Sequence, residues 1–124
     1  MPATLALAAL LLAQATQGAI TVEAPTDPYG VGHRELMAQK PAAAMERIEA
    51  DWNVNADDPA ALINLGTAAA RLGDKAAARD HYRAALTSRD RYDLELANGT
   101  WMDSRAAARL AIAMLAKNQA LALR

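Results

Sequence analysis

The side chains able to do chemistry are few and scattered. His33 and His81 are the two histidines. His33 has Glu35 two places on, and residues two apart on a helix point to different faces. His81 precedes Tyr82 and falls off the apolar stripe of its segment, so it belongs at the surface. A metal site or an acid–base pair needs ligands or partners converging at useful spacing, and neither histidine has them. Asp57-Asp58 precedes Pro59 and fits a loop ending in a helix cap better than a metal-binding pair. Ser88 and Ser104 lie in no strand-to-helix nucleophile pattern, and no glycine-rich phosphate loop is present. There is no cysteine, which excludes disulfides, thiolate zinc sites, cysteine nucleophiles and a lipid-bearing cysteine. The expectation is a protein that is not an enzyme, with no catalytic residue, metal or cofactor.

Charge narrows the partners. Thirteen basic and fourteen acidic residues give a net charge of -1, without the basic excess of a nucleic-acid binder. Arg79 and Arg83 lie one turn apart, with Arg89 and Arg91 following. Asp80, Asp90 and Asp93 interleave with them, which is ordinary helix-surface patterning.

The elements that carry these residues are mostly alanine-rich. Alanine costs least in a helix, so 124 residues fit one small, mainly helical domain. The opening MPATLALAALLLAQA is apolar from Leu5 to Ala13, too short to span a bilayer, and Ala13-Gln14-Ala15 fits a leader cleavage site. Residues 1–15 are therefore expected to be a cleaved signal peptide. A helix packed on the domain and an uncleaved anchor are the competing readings. Nothing before Leu5 is Lys or Arg, so only the amino terminus supplies the leader's positive charge. The mature protein is then exported, periplasmic or secreted, with no membrane span left after cleavage. Residues 16–27, with Gly18 and Pro25, read as a flexible lead-in.

From Pro59 the signals are sharper. Asp58 caps a helix that Pro59 opens, and Leu62, Leu65, Ala69 and Leu72 recur at helical steps. Gly73 stops it and Asp74 caps a second helix, whose stripe is Ala77, Ala78, Tyr82, Ala85 and Leu86. The pair forms an antiparallel hairpin. Shifting the sequence back by about 34 residues, a period known from helical repeat arrays, places Pro59 on Pro25, Gly66 on Gly32, Ala78 on Ala44 and Tyr82 on Ile48. Pro28–Gln39 and Pro41–Trp52 thus read as an earlier, weaker pair. A glycine in mid-helix costs ~1 kcal/mol against alanine, so Gly66 argues for close packing.

These residues together resemble a tetratricopeptide repeat. Leu62 and Leu65-Gly66 match the family's first helix, Gly73-Asp74 its turn, and Ala78, Tyr82 and Ala85 its second helix. Ala69 replaces the usual tyrosine, and Asp90 stands where proline is common. The resemblance implies an all-α fold: a short α-solenoid of antiparallel helix hairpins, about two repeats over 28–90 with the clear one at 59–90. It also implies a concave groove that binds a peptide or helix of a partner protein. The groove-facing positions are Ala60, Ile63, Asn64, Thr67, Ala70 and Arg71, with Tyr29, His33 and Met37 in the weak repeat. Arg71 would hold a carboxylate, and Asn64 would bond a peptide backbone. The set of several Asn and Lys that clamps a C-terminal carboxylate in some members is lacking.

Residues 91–124 leave the repeat. Tyr92, Leu94 and Leu96 alternate with charges before Asn98-Gly99, which suggests a small β-hairpin near 92–102, or an irregular loop, packed on the helices through Trp101. Asn98-Gly99-Thr100 also matches a glycosylation sequon, although the turn explains it. Asp103 or Ser104 then caps a final helix whose apolar stripe is Leu110, Met114 and Leu121 with the neighbouring alanines, expected to cap the array. The functional expectation is an exported adaptor or assembly factor of the cell envelope. The alternative is a structural homo-oligomer that self-associates through unfinished repeat faces.

Overall fold

The computed structural model describes residues 20–23 and 30–122. Among them are six helices and a small three-stranded antiparallel sheet. In chain order the elements are β1 (Val22–Glu23), α1 (His33–Met37), α2 (Pro41–Ala50), α3 (Trp52–Asn55), α4 (Pro59–Arg71) and α5 (Lys75–Thr87). They end with β2 (Asp93–Leu96), β3 (Trp101–Asp103) and α6 (Ser104–Ala122). No helix among the described residues is long and apolar enough to cross a membrane. The leader expected at 1–15 lies outside the described residues.

The central hairpin follows the local chemistry. Asp58 accepts from the N–H of Ala61, and Pro59 stands where a helix has no use for its own N–H. Asp74 accepts from the N–H of Ala77 at 3.0 Å and starts α5 in the same way. Between them the chain turns through Gly73. The two helices meet where their side chains are smallest. A Cβ placed on Gly66 would stand 2.6 Å from the Tyr82 ring and 3.1 Å from the Ala78 carbonyl. Tyr82, Ala78 and Ala85 are the buried residues of α5.

α4 is the centre of the molecule. It packs against α2 on one side and α5 on another, with α6 and β1 also in contact. Every residue from Pro59 to Ala69 is buried. The earlier helix pair departs from the expected lengths. α1 spans only His33–Met37, because Gly32 precedes it with a left-handed φ of 76° and leaves only a short run before the turn at Ala38-Gln39. The helix opened by Pro41 ends at Ala50, and a separate turn of helix, α3, follows from Trp52.

The hairpin near 92–102 is present, with Leu94 opposite Met102 and Glu95 opposite Trp101. It does not pack through Trp101, which is 54% exposed. Alternation explains the correction: Trp101 shares its face with Glu95, while Leu94 and Met102 turn to the other face, where Leu94 is buried. α6 follows the expected stripe in its alanines but not in Leu110. Its buried residues are Ala107, Ala108, Ala111 and Leu115, and Leu110 is exposed. Asp103 caps it by accepting from the N–H of Ala106. The alanine face is inward because α6 lies against α5, where small side chains allow close approach. Met114 is half-buried, and the side chain of Leu121 lies outside the described residues.

A second correction concerns residues 20–23, within the stretch expected as a lead-in. Ile20, Thr21 and Val22 are buried. Val22 pairs with Leu96 and Glu23 with Glu95, so β1 adds an antiparallel third strand to the hairpin in the order β1-β2-β3. Ile-Thr-Val is a β-branched run, which suits a pleated surface.

Candidate peptide-binding face

The polar side chains of α4 fall on one face by helical spacing: Asn64, Thr67 and Arg71. All three bond to backbone of the N-terminal part of the chain.

Asn64 is fully buried. Its Oδ1 accepts from the N–H of Val22 at 2.7 Å, and its Nδ2 donates to the carbonyl of the same residue at 2.7 Å. Nδ2 also donates to the carbonyl of Val31 at 2.8 Å. A side-chain amide has one acceptor oxygen and two donor hydrogens. Here both hydrogens and the oxygen are engaged, and the Val22 pair repeats what a neighbouring strand would offer. The carboxamide thus replaces one residue of a β-ladder.

Thr67, also fully buried, donates its hydroxyl hydrogen to the carbonyl of Ile20. A carbonyl oxygen only accepts, so the 2.9 Å contact between Thr67 Oγ1 and the Tyr82 hydroxyl must have the tyrosine as donor. Burial pushes the Tyr82 phenol above its ordinary value, opposed by the bond to Thr67 and by nearby Arg71. The phenol therefore keeps the hydrogen that it donates. Arg71 Nη1 donates to the carbonyl of Leu36 at 2.7 Å, and burial lowers the guanidinium below its ordinary value.

The geometry gives β1 a direction. Val22 meets Asn64 and Ile20 meets Thr67, so the strand runs opposite to α4. Alternate residues of a strand present their backbone groups to the same edge. The edge carrying Ile20 and Val22 faces α4, while the other faces β2, where the N–H of Ala97 donates to the carbonyl of Thr21 at 3.2 Å. The main chain is thus bonded on both sides, by a helix and by a strand.

Of the expected groove residues, Ala60, Ile63, Asn64 and Thr67 are fully buried. Ile63 and Ala60 share one apolar core with Ile20, Val22, Val31 and Leu94. Ala70 and Arg71 are half-buried at the end of α4, and His33 is half-buried on α1, apart from the strand. Met37 is exposed beside Thr21, whose hydroxyl points at its sulfur at 3.8 Å. Tyr29 lies outside the described residues. The sequence reading did not single out Ile20, Thr21 and Val22, although their β-branched run was the available signal. It also passed over Asn55, whose buried amide donates to the carbonyl of Ile48 at 2.9 Å and ties the end of α3 to α2.

At the far end of α4, Tyr92 donates its phenol hydrogen to Asp58, the cap of the helix. Ser88 donates to the Asp57 carbonyl, and the N–H of Asp90 donates to Ser88. Burial raises the Asp58 carboxyl above its ordinary value, against the bonds from Tyr92 and Ala61. Each hydroxyl here is engaged with backbone or a helix cap, so the cluster fastens the hairpin to α4. No group of three or more His, Asp or Glu side chains among the described residues is placed to hold a metal ion.

Comparison with family models, curated proteins and solved structures finds no match to this chain.

Proposed function

We propose that the protein is a non-enzymatic interaction module that binds an extended peptide segment of a partner protein, with α4 as the receiving helix. The observation that carries this reading is the paired bonding of the Val22 backbone by one carboxamide. Such a contact recognises extended main chain whatever its side chains, and main-chain bonding is the source of affinity when a strand is added to a fold. The repeat reading is supported by the order of packing. α2, the second helix of the early pair, lies on α4, and α5 lies on α6, so each second helix packs on the next long helix of the chain. The role suggested is that of an exported adaptor or assembly factor in the cell envelope.

The test is selection of linear peptides displayed on phage against the purified protein. Enriched peptides are expected whose binding is lost in an Asn64→Ala, Thr67→Ala double variant at a temperature where its circular dichroism and cooperative melting still show it folded. Absence of any enriched peptide overturns the reading.

A further inference from the structure

We propose that Ile20–Glu23 is a resident occupant of a strand-accepting slot, and that the partner supplies an extended segment which replaces it residue for residue. The inference rests on the peptide-binding reading and adds the chemistry of the partner and the manner of its entry.

Three observations carry it. First, both walls of the slot come from elsewhere in the chain: Asn64 and Thr67 on α4, and the edge of β2 opposite β3. Second, those walls are joined to each other without β1. Tyr92 bonds to Asp58, Ser88 to the Asp57 carbonyl, and Arg105 donates to the Ser88 carbonyl at 3.3 Å. The slot therefore has a shape of its own. Third, β1 is held by main-chain bonds on both edges, which any extended segment with the right N–H and carbonyl groups reproduces, and by the burial of Ile20 and Val22, which a segment with apolar residues at the same two positions reproduces as well. An incoming strand makes the same contacts as the resident, as when identical elements are exchanged between copies, and it must be in excess because the tethered β1 competes at a high effective concentration.

The slot also specifies its guest. The residue at the Val22 position is fully enclosed and must donate its N–H to Asn64, so it is a small apolar residue other than proline. The residue two places earlier is apolar and nearly enclosed, as Ile20 is. The guest runs antiparallel to β2. It is a β-strand segment of the pattern apolar-x-branched, without a carboxyl terminus or a charge at either enclosed position.

The experiment uses the absence of cysteine in the full chain. Val22 and Leu96 are opposed across an antiparallel pair, and the main-chain groups of Val22 face Asn64 rather than β2. Such non-hydrogen-bonded pairs have Cα atoms about 4.5 Å apart, within the range a disulfide bridges. The Val22→Cys, Leu96→Cys double variant locks β1 in place when oxidised and frees it when reduced. The probe is a fluorescein-labelled peptide with the sequence of residues 17–24, read by fluorescence anisotropy. A second peptide carries Val22→Pro.

The first peptide is expected to bind the reduced protein at least about tenfold more tightly than the oxidised protein, because a filled slot lowers apparent affinity by the fraction left open. The proline peptide is expected not to bind. Equal binding to both forms places the peptide site elsewhere and overturns the slot while leaving the interaction module standing. No binding of the probe to the reduced form, where phage-selected peptides do bind, has the same meaning. If neither probe nor selected peptides bind, both readings fall. A dimer in light scattering of the reduced form, lost on oxidation, makes a second copy the occupant and overturns the foreign guest.

Discussion

α4 and α5 have the same length and opposite environments. α4 is buried from Pro59 to Ala69, whereas α5 buries only Ala78, Tyr82 and Ala85 and gives the rest of its surface to solvent or partial cover. Both begin with an aspartate cap and both are rich in alanine. The difference lies in what polar residues do on each. On α4, Asn64 and Thr67 are enclosed and therefore must bond, and the partners they find are main-chain groups of β1. On α5, Asp80 and Arg83 are exposed to water, where ion pairs contribute little. A polar residue on a central helix thus carries information about a ligand-like partner, and the same residue type on an outer helix does not.

The strongest way to break this contrast is Asn64→Leu. It leaves the N–H and carbonyl of Val22 and the carbonyl of Val31 without their partner, and unsatisfied buried groups cost about 1–3 kcal/mol each. A loss of about 3 kcal/mol or more in urea denaturation is expected, whereas an unchanged midpoint would show that Asn64 does not hold the strand. Gly66→Ala comes next. Alanine gains ~1 kcal/mol of helix propensity, but its Cβ meets a ring tethered at its far end to Thr67, and overpacking costs about 1–3 kcal/mol. A net loss of about 1 kcal/mol is expected, turning into a gain when Tyr82→Leu opens the space. Tyr82→Phe removes only the donor to Thr67 and is expected to cost ~1 kcal/mol.

The smallest effects belong to α5. Arg83→Ala, at an exposed position, is expected to stay within about 0.5 kcal/mol of the parent. His81 sharpens the comparison through pH. Burial holds its pKa below 6.5, partly offset by Asp80, Glu49 and Asp74. The folded protein thus binds this proton less readily than the unfolded chain. The associated stability is complete above pH 6.5 and is lost as pH falls through the lowered folded value. A modest drop in Tm between pH 8 and pH 5 is expected, flattened by His81→Gln.

The sequence made the central hairpin legible because its signals are local: a cap, a proline, a glycine stop and a helical stripe. The hairpin at 93–103 was legible from alternation and Asn98-Gly99. Its inward face was not, since Leu94 and Trp101 are both apolar and only the pairing register decides between them. The inward face of α6 was legible only in part, for a related reason. Leu110 and Met114 outrank alanine in hydrophobicity, yet close contact with α5 favours Ala107, Ala108 and Ala111. Asn64 was picked out through the tetratricopeptide resemblance, as a residue that would bond the backbone of a partner peptide. That its strand lies in the same chain was hidden, because Val22 and Asn64 are 42 residues apart and nothing local joins them.

That separation inverts the order of making and the order of building. Ile20–Glu23 leaves the ribosome before any other described element, yet its seat needs α4 and the edge of β2, which is translated much later. Contacts so distant along the chain form slowly. During that interval Ile20 and Val22, apolar and β-branched, have no cover, and exposed strands of this kind are where nascent chains associate wrongly. The first of the described residues thus wait for an element made much later, and the time needed to complete the β2–β3 hairpin sets how long they wait.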